Sequence, residues 1–292
     1  MSFDYSRFME PAYDRDMTIL SKFNDELYKI TTVNSCRRSG IELPVIERKE
    51  KNSVNSCKLE NNIQRARSAI EELGLCNNWD WFVTLTISPE KHDRYDLAGY
   101  KKKLNYFKKD LKKRLGIEFN YLLVPEMHED GAWHMHGLIG GLPQERLRPF
   151  GLFDEKLPHR IRDKLIKGDQ VYDWPDYRQR FGFCDFERVR EPERASRYIT
   201  KYVTKDLSRT VTELGGHLYY ASKGLKRKEV IKKGAYVGDI EPAFTGKYSS
   251  STWLRNTSTE EISQIAKDII VNPKEYLNRQ KYLQLLEDCP WA

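Results

Sequence analysis

The chain has 292 residues, enough for one sizeable domain with accessory elements or for two small ones, and its 39% hydrophobic content supports a real core despite 32% charged residues. The 50 basic against 43 acidic residues give a net charge of +7, and a pI near 9.0 suits a polyanionic partner without requiring one. Cys36, Cys57, Cys76, Cys184 and Cys289 form no Cys-x-x-Cys and are odd in number, which excludes a zinc ribbon and a disulfide framework and points to reduced thiols.

Residues 1–57 read as a polar and basic arm. It carries one short helical pattern (Ile19, Leu20, Phe23, Leu27, Ile30), and Arg37, Arg38 and the basic run 48–51 lie around Pro44. From Lys58 the pattern sharpens: Leu59, Ile63, Ala66, Ile70 and Leu73 recur at helical spacing, with Gly74 as a C-cap. Phe82 to Ile87 is β-branched and aromatic, closed by Ser88-Pro89, and predicts a strand. Residues 99–115 predict a helix with Tyr100, Leu104, Phe107, Leu111 and Leu115 on one side and eight basic residues on the other. That basic side is either a solvated face or a phosphate-contacting one.

Tyr121 to His128 and Trp133 to Ile139 predict a hairpin around Glu129-Asp130-Gly131, and residues 183–189 a further strand. Pro192 opens the next helix, as proline does in a first turn. A basic, aromatic stretch over 217–228 follows. The tail shows a capping box, Ser258 to Glu261, ahead of Ile262, Ile265 and Ile269, then a helical pattern through Tyr276, Leu283 and Leu286. No apolar leader segment and no run of bilayer length occur, so the protein is expected to be soluble and cytoplasmic.

With a three-residue loop in the hairpin, Glu126 lies opposite His134, and His134 and His136 share a face because strand side chains alternate. Two imidazoles and a carboxylate leave coordination positions open for a phosphate oxygen on a divalent metal. A two-residue turn at Asp130-Gly131 would shift the register by one and bring in His128 instead. A lone His-x-His is commonly no more than two surface histidines; the spaced carboxylate, the strand and the downstream tyrosines set this one apart.

Those tyrosines lie in a doubled Tyr-x-x-Lys. At 100° per residue Tyr198, Lys201, Tyr202 and Lys205 line one helix flank, while Ala195, Ile199, Val203 and Leu207 form a separate apolar stripe. Tyrosines on amphipathic helices usually pack; here the stripe is supplied by other residues. Neighbouring ammonium groups favour the phenolate and can bind a phosphate.

Together these segments resemble the HUH endonuclease superfamily, specifically rolling-circle replication initiators. Phe82 to Thr86 stands as the first motif, His134-Met135-His136 as the second, and Tyr198 to Lys205 as the third, over roughly residues 75–210. The paired tyrosines are similar to the two-tyrosine branch. The resemblance implies an α+β fold: a central antiparallel sheet with the histidine motif on a middle strand, flanked by helices. Its activity would be a metal-dependent nickase and strand transferase on origin single-stranded DNA, with hairpin origins and a 5′-phosphotyrosine intermediate. His134, His136 and Glu126 would hold Mg²⁺ or Mn²⁺, Tyr198 and Tyr202 would be nucleophiles, and Lys201 and Lys205 their phosphate and charge partners. The nuclease domain would span 58–245, with a helical segment over 246–292. No P-loop motif occurs, so unwinding and synthesis fall to a host helicase and polymerase. The rival readings are a relaxase or transposase with the same chemistry, and a non-catalytic binder of single strands.

Overall fold

In the computed structural model the described residues are 13–37, 56–204, 207, 208, 210 and 217–271. They fall into two units, one within 48–227 and the other joining 1–47 to 228–292. These limits differ from the expected ones at 57 and 245. The reason begins at the N-terminus, where strands β1 (Tyr13–Lys22) and β2 (Leu27–Arg37) replace the expected arm and its helix. The spacing of Ile19, Leu20, Phe23, Leu27 and Ile30 fits a helix only if the turn between them is ignored. Asn24 accepts the Glu26 N–H at 3.0 Å, Phe23 N–H bonds Leu27 O at 2.9 Å, and Leu20 and Ile30 become cross-strand partners. The β-branched run Ile30 to Val33 suits this pleated setting better than a helix. Residues 1–12 and 38–55, including Arg38 and the basic run, lie outside the described residues.

The 48–227 unit is built on a seven-stranded antiparallel sheet. Its elements in chain order are α1 (Ser56–Cys76), β3 (Trp81–Thr86), α2 (Leu97–Leu115), β4 (Asn120–Met127), β5 (Trp133–Gly140), β6 (Arg148–Pro149), α3 (His159–Ile166), β7 (Val171–Asp173), α4 (Pro175–Arg180), β8 (Cys184–Arg188), α5 (Pro192–Ile199) and β9 (Tyr220–Ala221). The strand order is β6-β7-β8-β3-β5-β4-β9, so the strand bearing His134 and His136 is flanked on both sides. This is the expected α+β class with the histidine motif on an interior strand. Helix α2 is capped by Asp96, which accepts the Gly99 N–H, and ends at Gly116 in the left-handed region with φ 66°. Its residues Tyr100, Leu104, Phe107 and Leu111 join the core beneath the sheet, while Leu115 is exposed.

Gly74 is not a C-cap. Helix α1 runs on to Cys76, and a Cβ at Gly74 would collide with the side chain of buried Ser196 on α5. The missing side chain therefore sets how closely α5 lies on α1. Pro192 opens α5 as expected, but the helix stops at Ile199 and tightens into a 3₁₀ turn, Thr200–Tyr202, rather than running on through residue 205. Ile199, Val203 and Leu207 are buried, as the apolar stripe requires.

The second unit completes the N-terminal hairpin with strands from the far end of the chain: β10 (Glu229–Tyr236), β11 (Phe244–Thr245), β12 (Ser249–Arg255) and β13 (Ile269–Ile270). Its six strands run in the order β11-β12-β2-β1-β10-β13. Helix α6 (Thr259–Lys267) starts at the expected capping box, Ser258 with Glu261, and packs Ile262 and Ile265 on Leu20, Ile30 and Ile269. The helical pattern through Tyr276, Leu283 and Leu286 lies outside the described residues. Among the described residues no helix is long and apolar enough to cross a membrane.

Candidate active site

The hairpin register decides which side chains meet. Glu126 pairs with His134 and Met127 with Trp133, and His128 N–H reaches Ala132 O at 2.9 Å, which is the three-residue-loop arrangement. On the other flank of β5, Thr86 pairs with His134 and Thr84 with His136, and Asp185 of β8 lies beyond Thr84. Alternation then places Glu126, His134, His136, Thr84, Thr86 and Asp185 on one face of the sheet.

Within this face Glu126 Oε2 lies 2.6 Å from His136 Nε2. Each imidazole turns Nδ1 toward a threonine hydroxyl: Thr84 Oγ1 at 3.4 Å for His136 and Thr86 Oγ1 at 3.1 Å for His134. The threonines were visible in the first motif as alternate residues of one strand, but their partnership with the histidines needed the β3–β5 register. His128 stacks on His134 with centroids 3.8 Å apart, so it abuts the site although it is not on the shared face by register. Burial, reinforced by the neighbouring charge of His128, pushes the His134 pKa down to about 4. Burial also lowers that of His136, against the pull of Glu126. Both rings are thus neutral near pH 7, the form that ligates metals.

As they stand, no three His, Cys, Asp or Glu side chains among the described residues are arranged to hold a metal ion. The physical reason is that the Glu126 carboxylate is engaged with His136 Nε2. The donor chemistry nevertheless fits a divalent cation. With its proton on Nδ1, His136 would donate to Thr84 Oγ1 and present the Nε2 lone pair beside Glu126, the arrangement in which an outer hydroxyl orients a ligating imidazole.

The tyrosines arrive from above this face. The Tyr202 ring stacks on His136, and Tyr198 meets Tyr202 edge-on at 6.0 Å and Phe82 at 5.4 Å. The Lys201 ammonium lies 3.6 Å from the Tyr198 ring centroid and 4.8 Å from that of Tyr202. Their acidities diverge. Hydrogen bonding to Lys201 holds the Tyr198 hydroxyl below the ordinary phenol range, whereas burial and the bond to Tyr198 raise that of Tyr202. Lys205 lies outside the described residues. Sequence reasoning missed Arg160 of α3, whose Nη2 donates to buried Asp185 at 2.6 Å and whose charge bears on both His136 and Tyr202. Nothing in a local motif links residue 160 to this site; the sheet order does.

An α+β sheet carrying His, Glu and Tyr side chains on one helix-covered face defines the class of arrangement. Residues 80–207 match the sequence model of the replication-associated protein ORF2 family, less than half of the chain. That stretch runs from β3 through the tyrosines, so the match contains the whole of the site. It supports a replication-associated protein of the Rep type. No curated protein and no solved structure gives a match.

Proposed function

We propose that the protein nicks single-stranded origin DNA and rejoins it, as the initiator of rolling-circle replication. The observation that carries this reading is the stacking of Tyr202 on His136 with Tyr198 and Lys201 alongside, which brings the tyrosine motif onto the histidine face. Tyr198, with its lowered pKa, supplies the phenolate. Its Oη attacks the scissile phosphorus, the P–O3′ bond breaks, and the 3′ oxygen leaves and takes a proton. The 5′ end remains as an aryl phosphodiester that conserves bond energy for rejoining. The Lys201 ammonium neutralises the developing phosphorane charge. Tyr202 repeats the attack in a second transfer, and the strand closes when a 3′-hydroxyl displaces the tyrosyl oxygen.

His134, His136 and Glu126 would hold Mg²⁺ or Mn²⁺, which when bound would polarise a non-bridging phosphate oxygen. Unwinding and synthesis fall to a host helicase and polymerase. The test is covalent: a labelled single strand from the replicon's own origin should become attached to the protein at Tyr198 in the presence of Mg²⁺ or Mn²⁺. Binding without any attachment, over all metals and strands from that origin, would leave a non-catalytic single-strand binder.

A further inference from the structure

We propose that the cleft between α3 and α5 seats one nucleotide beside the phosphate under attack and prefers a base bearing a keto oxygen, guanine or thymine. This rests on the reading of the tyrosines as strand-cutting groups. The cleft encloses about 840 Å³ and has both Tyr198 and Tyr202 in its wall, a volume in the range of roughly 300–1,000 Å³ that accommodates a small organic ligand. Any strand with a phosphate at the tyrosines must lay a neighbouring nucleotide close by, and this is the space that adjoins them.

Its polar lining is made of held donors. Arg160 is half exposed toward the cleft but anchored behind by Asp185, itself 1% exposed. Lys164 donates to both oxygens of Glu187 at 2.6 Å. On the opposite wall Arg194 stands almost fully exposed. Carboxylates in the sheet thus fix two long cations that retain further N–H groups for a phosphate.

The base preference comes from the far end of the same cleft. Arg188 lies over the Trp81 ring, 4.6 Å from its centroid, and its Nη2 donates to Gln144 Oε1 at 2.7 Å. A guanidinium can only donate, so Gln144 must give it the oxygen and keep the amide NH₂ as a donor for a ligand. Arginine N–H groups and an amide NH₂ meet acceptors: the O6 and N7 of guanine or the keto oxygens of thymine.

The test uses the full chain, labelled oligothymidylate and oligoadenylate, and fluorescence anisotropy. Gln144→Glu keeps an oxygen for Arg188 and removes the donor, so the ratio of thymidylate to adenylate affinity should fall about tenfold. Arg194→Glu should weaken both oligonucleotides by a similar factor of several. Both side chains are exposed, and an unchanged melting temperature confirms that neither variant acts through folding. An affinity ratio unmoved by Gln144→Glu overturns the base preference, and unchanged binding by Arg194→Glu overturns the seat. Covalent attachment of the wild-type chain to origin strands is scored separately. Attachment with unmoved binding sinks the cleft and spares the nickase; shifted binding with no attachment does the reverse.

Discussion

The ring of Tyr202 lies flat on the imidazole of His136, centroids 4.0 Å apart and planes within 1°, while Tyr198 stands edge-on to it with 47% of its surface exposed. Two tyrosines four residues apart are therefore not equivalent. One is clamped over a candidate ligand and holds its proton tightly. The other faces the cleft with an ammonium on its ring. The 3₁₀ turn between them creates the difference, since it draws Tyr202 down onto the sheet while α5 still carries Tyr198.

Tyr198→Phe should lower the rate of the first covalent attachment by about 10³-fold or more, as loss of a nucleophile does. Tyr202→Phe should leave that first step within about tenfold, because it keeps the ring that packs on His136, and should abolish the second transfer. Denaturing gels of labelled adducts read both. The reverse pattern would make Tyr202 the initiating residue.

The lowered pKa of Tyr198 has a definite sign in pH-rate data. A depressed phenol pKa populates the phenolate at lower pH, so attachment should rise with pH and level off below the point where an ordinary tyrosine, at about 10, would. Lys201→Ala removes the main cause of that depression and should move the rising limb to higher pH. A profile identical to wild type would show that Lys201 does not tune the hydroxyl.

Replacing both His134 and His136 by alanine should abolish attachment and leave single-strand binding within about threefold, since phosphate contacts carry affinity. Glu126→Ala should weaken Mn²⁺ binding measured by calorimetry, whereas His128→Ala, which removes a stacking ring rather than a residue of the shared face, should weaken it less. A larger effect at His128 would reassign the third ligand.

The basic side of α2 is not uniform. Lys108 is half-buried, donates to Ser222 at 2.9 Å and lies over the rings of Phe119 and Tyr121, and Lys112 pairs with Glu118. Lys102 and Lys109 are exposed. Lys108→Ala should therefore cost stability, about 1 kcal/mol for the lost hydrogen bond and packing. Lys102→Ala with Lys109→Ala should instead flatten the salt dependence of single-strand binding by about 1.4 in log–log slope. An unaltered slope would return this face to the solvent.

Gly74→Ala tests the seating of α5. The added methyl meets Ser196, and overpacking of this kind costs about 1–3 kcal/mol by chemical denaturation. The compensating pair Gly74→Ala with Ser196→Gly should recover part of that loss. No destabilisation in the single variant would mean that the two helices are free to part.

Much of the site was legible because period-2 alternation leaves few choices. Once the loop is three residues long, Glu126 must face His134, and the structure has that register. The N-terminal strands were not legible, because Leu20 and Ile30 are ten residues apart and satisfy a helical repeat as readily as a hairpin contact. Gly74 misled for a related reason. A glycine near a helix end looks like a cap, and the partner that explains it, Ser196, is more than a hundred residues away. Arg160 and Asp185 share that obstacle: their pairing depends on which strand lies next to β3.

The six-stranded sheet takes its middle strands from the start of the chain and their neighbours from roughly two hundred residues later. On a ribosome the early hairpin must wait, its edges unpaired, while the entire nuclease-like unit is made and can close around its own core. Late pairing across such a span is slow, and exposed strand edges invite pairing with other chains in the interval. Expression from a messenger in which that last segment is delayed or missing should therefore enrich aggregates held through β1 and β2, even where the tyrosines and histidines are already in place.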